Sequence, residues 1–173
     1  AKSVTLKSYA IGADFVIITH KALESAAQTF AEYRKSAAGG GHQVLIVDIE
    51  QLYDQFNYGE RGPLGVRHFL NYQLKDGKKD KYLLLLGNGM SFPDKLKEWQ
   101  DRDFIPTFGY PGSDVLLSAG LAGENLNTPA FRTGRLSAAT NQQVLAYLNK
   151  LKEFEKAPPT LSAKNILHLS GGK

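Results

Sequence analysis

The chain has no cysteine in its 173 residues, which excludes disulfides, thiolate zinc sites and a cysteine nucleophile within it. The same absence does not fix a compartment, because a secreted protein without disulfides has the same composition. No apolar run approaches the roughly 20 residues needed to span a bilayer, and the N-terminus lacks a signal-peptide pattern. A chain beginning at Ala1 rather than methionine is expected to be a processed or trimmed product. Charge of one sign is also scarce: 21 basic against 17 acidic residues give a net +4. The densest basic run, Lys75-Asp-Gly-Lys-Lys-Asp-Lys81, is interrupted by acids. Nucleic-acid binding is not expected, because a phosphate-tracking surface needs a concentrated positive face. The 42% hydrophobic and 10% aromatic content is enough for a packed core, and the length suits one such core.

Phe15-Val-Ile-Ile-Thr19 is a continuous β-branched run and predicts a first strand. Over Lys21 to Ala38, Leu23, Ala26, Ala27, Phe30, Tyr33 and Ala37 follow the helical period. Gly39-Gly-Gly41 then stops the helix, and Val44-Leu-Ile-Val47 predicts the second strand. A short helix is expected from Glu50 to Phe56. Another starts at Pro63, a favoured first-turn position, with Val66, Phe69, Leu70 and Leu74 on one face. Tyr82-Leu-Leu-Leu-Leu86 predicts the third strand. Strands that are apolar throughout suit a parallel sheet covered on both faces.

Met90 to Thr133 lacks any long periodic segment and holds Pro93, Pro106, Pro111 and Pro129. It reads as loops, with a short helix near Asp94 to Gln100 and a hairpin around Val115 to Leu121. Thr140 followed by Gln143 is a capping-box pair opening a helix with Val144, Leu148 and Leu151 buried. Pro158-Pro159 ends it, and Asn165-Ile-Leu-His-Leu169 predicts a last strand. The order predicts an α/β fold, a three-layer α/β/α sandwich on a mostly parallel sheet.

Ligands of open parallel sheets gather at the carboxyl ends of the strands: here Thr19-His20, Asp48 to Glu50, Gly87-Asn88-Gly89 and Ser170 to Gly172. His20 and Asn88 can face one crevice, yet no nucleophile with its base stands among these residues, and His20 is expected to orient a helix start or face solvent. Gly39-Gly-Gly41 follows a helix and precedes a strand, the reverse of a phosphate loop, so it is expected to supply a left-handed helix end. Gly87-Asn88-Gly89 lacks the third glycine of a dinucleotide fingerprint. Asp48 and Glu50 resemble the acidic strand end of a phospho-accepting receiver, but Gly87 and Asn88 stand where its next aspartate belongs. No His/Cys/carboxylate cluster has ligand spacing, leaving calcium through Asp101, Asp103 or Asp114 as the one metal expectation. Arg67 and Arg135 are either solvated or tie the irregular loop to the sheet edge through their guanidinium forks.

Several blocks resemble gingipain-like cysteine peptidases, peptidase family C25. They are Leu52-Tyr-Asp-Gln-Phe-Asn-Tyr-Gly59, Pro63-Leu-Gly-Val-Arg67-His-Phe69, Tyr82 to Gly89, Ile105-Pro-Thr107, Gly112-Ser-Asp114, Gly134-Arg-Leu136 and Phe154-Glu155. They keep the family's order over about Asp14 to Gly172, with the sortase-like members of the type IX secretion system as the nearest subgroup. The resemblance marks Gly59, Arg67, Asp114, Gly134 and Arg135 as structural motif residues. Ser137 replaces a usual proline, and Asn88 an aspartate found in several members.

The resemblance implies a caspase-like half-domain: an N-terminal extension over 1–12, an α/β subdomain over 13–157, and a linker with the first strand of the second half over 158–173. The family's histidine, in a Gly-His-Gly setting, and its cysteine belong to that second half, so this dyad is expected beyond Lys173. None of His20, His42, His68 and His168 has the setting. No catalytic residue is therefore assigned, and His168 is read as packing or orienting its strand. No cofactor is implied. The expected partners are the remainder of the same polypeptide and protein or peptide substrates, in a secreted or cell-surface bacterial protein. A peptidase-derived scaffold without catalysis is the main alternative, and an unrelated anion-binding domain a distant third.

Overall fold

A computed structural model describes residues 6–78, 80–90, 102–158 and 160. Strands β1 (Phe15–Thr19), β2 (Val44–Asp48), β3 (Tyr82–Leu86) and β4 (Arg132–Leu136) form one parallel sheet in the order β2-β1-β3-β4. All five residues of β1 are buried, since it lies inside the sheet with helices over both faces. Each large apolar side chain there contributes about 1.5–3 kcal/mol by leaving water.

Helices α1 (Glu24–Lys35) and α4 (Asn141–Lys156) cover one face, where Ala27, Phe30, Val144 and Leu148 pack on Phe15, Ile17 and Leu86. Helices α2 (Ile49–Phe56) and α3 (Pro63–Gln73) cover the other, joined by Ile105, Leu117 and Phe131 from the long loop. The chain turns from β1 outward to β2 and then back past it to β3, with helices on opposite faces, as right-handed crossovers require. The α/β sandwich on a parallel sheet is therefore the observed architecture.

The helix expected over Lys21 to Ala38 is in fact three pieces. A 3-10 turn over Lys21–Leu23 leads into α1, Ser36 is extended, and a second 3-10 turn spans Ala37–Gly39. Ser36 ends α1 by capping that turn through its own side chain. Gly40 (φ 106°) and Gly41 (φ 67°) then take the left-handed backbone, as expected of a helix end. The capping box of Thr140 and Gln143 at α4 is present.

Two expectations fail inside the long loop. Arg132 and Thr133, read as the end of an irregular stretch, open strand β4, which runs on to Leu136. Its Arg-Thr-Gly-Arg-Leu sequence shows no apolar run because it pairs with β3 alone, Leu84 opposite Gly134, and among the described residues its other edge has no strand. The hairpin expected around Val115 to Leu121 is instead a 3-10 turn over Asp114–Leu117. Arg67 holds the carbonyls of Leu116 and Ala119 at 3.0 and 2.8 Å, which curls the backbone where a hairpin would extend it. The helix expected near 94–100 and the strand over 165–169 lie outside the described residues. So does the end of the chain through Lys173, where the second half of the domain was expected to begin.

Among the described residues one charged side chain is fully buried. Lys81, just before β3, donates from Nζ to Gln73 O (2.6 Å) and Asp76 Oδ2 (2.8 Å). A buried ammonium needs such partners, and here they lock the end of α3 to the start of the strand.

Candidate functional site

The crevice at the carboxyl ends of β1 and β3, where the strand order reverses, is the expected ligand position in such sheets. Here protein fills it. Thr19 Oγ1 donates to Leu86 O at 3.2 Å across the two strands. His20 accepts from Ala22 N through Nδ1 at 3.2 Å and caps the 3-10 turn. Its ring stacks on Phe104, centroids 4.7 Å apart and planes 8° from parallel. The backbone N–H groups of Phe104 and Ile105 donate to Asn88 O at 3.0 and 2.9 Å. His20 and Asn88 thus meet through Phe104, as two supports of one loop. Asp48 caps α2 by accepting from Glu50 N at 3.1 Å.

Arg135 is the centre of the loop assembly. Its Nε and Nη2 donate to the two carboxylate oxygens of Asp114 at 2.7 Å each. Its Nη1 donates to Gly87 O and Ile105 O at 2.9 Å each. One guanidinium therefore joins β4, the end of β3 and two parts of the loop. Gly89 passes so close that a Cβ there would stand 2.8 Å from Arg135 Nη1 and 2.7 Å from Ile105 O. Burial pushes the Asp114 carboxyl up, but the hydrogen bonds and charge of Arg135 outweigh it and hold the group below the usual aspartate range.

Among the motif residues, Arg67, Asp114 and Arg135 converge on the turn at Asp114–Leu117. Gly59 and Gly134 lie elsewhere. Gly59 (φ 83°) follows Tyr58 (φ 55°), and its N–H donates to Tyr53 O at 2.8 Å, closing the end of α2. Gly134 sits mid-strand in β4. His42 contacts Asp14 at 3.1 Å at the other end of the sheet, and His68 Nδ1 lies 2.8 Å from Phe56 O. His168, and the histidine and cysteine expected beyond Lys173, lie outside the described residues. Both oxygens of Asp114 are engaged by Arg135, and Asp101 also lies outside the described residues. Among the described residues no group of three or more metal-ligating side chains gathers.

Beside this assembly is a cavity of about 290 Å³ lined by Tyr53, Arg61, Pro63, Met90, Asp103 and Thr107, with Gly62 and Pro106 at its wall. Asp103 Oδ1 accepts from Met90 N at 2.9 Å. Burial raises the Asp103 carboxyl above its ordinary range against the pull of that N–H and of Arg135 and Arg61. Burial also raises the Tyr53 phenol, with the charge of Asp103 adding to it. Arg61 pairs with Glu50 at 2.6 Å and lies 5.9 Å over the Tyr53 ring. Sequence reasoning named Asp103 for calcium alone and passed over Tyr53 and Arg61, because nothing local joins a residue of α2 to one 50 positions later.

A profile of peptidase family C25 matches residues 8–173. No curated protein matches the chain. Among solved structures, the crystal structure of dimeric latent PorU from Porphyromonas gingivalis is similar, with a TM-score of 0.61 and 22% identity. The match covers 80% of this chain and 15% of that one. The chain thus spans a small part of the length of that protein, and the likeness speaks to the fold. With nearly its whole length inside the family profile, the chain belongs to peptidase family C25.

Proposed function

We propose that the chain is the non-catalytic N-terminal part of a C25 peptidase domain, and that it braces the catalytic part of the same polypeptide, whose histidine and cysteine would follow Lys173. One observation carries this reading: the crevice at the strand ends is closed by a loop that Arg135 ties down at four points. A site built for chemistry needs a nucleophile and base within hydrogen-bond reach. A site built for support needs a rigid surface, and four bonds to one part-buried fork supply it. The edge of β4, which has no strand partner among the described residues, and the exposed Tyr147 and Phe154 on α4 offer a surface where further polypeptide can pack.

In this reading the whole protein is a cysteine endopeptidase or a sortase-like transpeptidase, secreted or held at a bacterial surface, acting on protein or peptide substrates. Among the described residues no helix is long and apolar enough to cross a membrane. The test compares peptidase activity of the full polypeptide with that of the 173-residue chain, with and without a thiol alkylator. Alkylator-sensitive cleavage by the long form alone supports the bracing role. A folded long form without activity overturns it in favour of a peptidase-derived scaffold.

A further inference from the structure

Arg67 repeats half of the arrangement seen at Arg135. Arg135 places Nη1 on two backbone carbonyls and gives Nε and Nη2 to the carboxylate of Asp114. Arg67 likewise places Nη1 on two carbonyls, those of Leu116 and Ala119. Its Nε and Nη2 donate to no described residue, and no described carboxylate forms an ion pair with it. Half-buried, Arg67 lines an open cavity of about 340 Å³ together with Leu64, Phe108, Leu116, Ala119 and Leu126. Among these lining residues Arg67 carries the single charge. Leu64, Leu116 and Leu126 are 48%, 42% and 83% exposed, and exposed Val115 and Tyr110 stand close to Leu116 and Phe108 along the chain. A lone exposed leucine needs no explanation, but several around one cavity mark a binding surface.

From this arrangement we propose that the cavity binds the free C-terminus of a peptide that ends in a large apolar residue. The terminal carboxylate sets its two oxygens on Nε and Nη2 of Arg67, completing the pattern that Asp114 completes at Arg135. The last side chain lies against Leu64, Phe108, Leu116 and Leu126. A guanidinium fork matches a carboxylate at two points. An entering cation meets like charge, and an uncharged apolar group strips water from the guanidinium without replacing its hydrogen bonds. The cation and the apolar walls share one small cavity, so charge and apolar bulk must belong to one residue of the ligand. No internal residue of a peptide carries both, but an apolar C-terminal residue does. The volume, at the low end of ligand pockets, suits one or two side chains rather than a long acyl chain, which favours a peptide end over a fatty acid. The inference rests on this cavity and not on the peptidase reading.

The experiment titrates the folded 173-residue chain with acetyl-alanyl-glycyl-phenylalanine bearing a free carboxylate, followed by amide chemical shifts in nuclear magnetic resonance. The comparisons are its C-terminal carboxamide, acetyl-alanyl-glycyl-serine with a free carboxylate, and decanoate. The first probe is expected to shift amides around Leu64, Arg67 and Leu116. The carboxamide is expected to bind about 10-fold more weakly for want of charged hydrogen bonds, and the serine peptide about 10-fold more weakly for want of apolar burial. Added salt is expected to weaken the first probe and spare the carboxamide. Arg67→Lys is expected to weaken the first probe by about 5-fold, since a point charge does not span both oxygens. Because Arg67 also holds the turn at Asp114–Leu117, Leu126→Ser is the second variant, at a side chain too exposed to matter for folding. It is expected to weaken the first probe by about 3-fold, with circular dichroism confirming the fold of both variants. Tighter binding of decanoate overturns the proposal in favour of a lipid site. Equal binding of the carboxamide or the serine peptide, unchanged binding in both variants, or no shift with any probe overturns it outright. So does binding by the 173-residue chain that the full polypeptide lacks, which would show the cavity covered by another part of the protein.

Discussion

Arg135 and Asp114, 21 positions apart, face each other as two forks, with both guanidinium-to-carboxylate distances at 2.7 Å. The pair is largely shielded, with side chains 13% and 25% exposed, and the third nitrogen of Arg135 is spent on two backbone carbonyls. Breaking such a part-buried pair from one side leaves the other charge short of its hydrogen bonds, which typically costs about 2–3 kcal/mol. Arg135→Ala is expected to lower unfolding stability by about that amount, and Arg135→Lys to recover only part, because a point charge cannot span both oxygens and both carbonyls. Urea titration measures both. A loss below about 1 kcal/mol for the alanine variant would show that the assembly does not hold the loop.

The same pair sets an acid limit. Asp114 has its folded-state pKa held below the usual aspartate value of about 3.9. Its contribution is therefore complete above the unfolded value and is lost as pH falls through the lower folded value. Stability measured down a pH series is expected to drop in that acid range. Arg135→Met, which lacks the partner, is expected to show a shallower drop.

Asp103 behaves in the opposite sense. Burial raises its folded-state pKa, so the folded chain holds the proton more tightly than the unfolded chain, and stability declines as pH rises through the raised value. Asp103→Asn keeps an acceptor for Met90 N and removes the buried charge. The variant is expected to be at least as stable as the wild type at neutral pH, with a flatter dependence above the usual aspartate range in thermal unfolding. A clear loss of stability at neutral pH would sink this account.

Gly89 is a steric requirement. A methyl group there would press on Ile105 O and Arg135 Nη1, a backbone atom and a tethered group that cannot yield cheaply. Gly89→Ala is expected to cost about 1–3 kcal/mol, the usual range for overpacking. Combined with Arg135→Ala the costs should be less than additive, since both disturb one assembly. A double-mutant cycle reads this directly.

Lys81 is expected to tolerate little. Lys81→Ala removes hydrogen bonds from a fully buried ammonium to Gln73 O and Asp76, leaving a buried carbonyl without its donor, at a cost of about 2–3 kcal/mol. Lys81→Met, which fills the space, should cost less. Equal losses would show that the hydrogen bonds account for the whole effect and the filled space for none of it.

What the amino-acid sequence determined by itself was local in origin. The β-branched run Phe15 to Thr19, the period of α1 and α4, the Thr140–Gln143 capping box and the left-handed Gly40 and Gly41 each follow from residues a few positions apart. The family was legible too, because its blocks keep their order along the chain. Tertiary structure alone decided the rest. Strand β4 is made by pairing with β3, since its own residues have little strand signal. The turn at Asp114–Leu117 exists because Arg67 and Arg135 reach it from distant elements. The cavity of Tyr53 and Asp103 depends on a loop brought over the sheet from 50 residues away. Periodicity and caps act through neighbouring backbone groups, and so they are written in short stretches of sequence. An edge strand, a buried ion pair and a pocket gain their free energy from partners that only folding brings together.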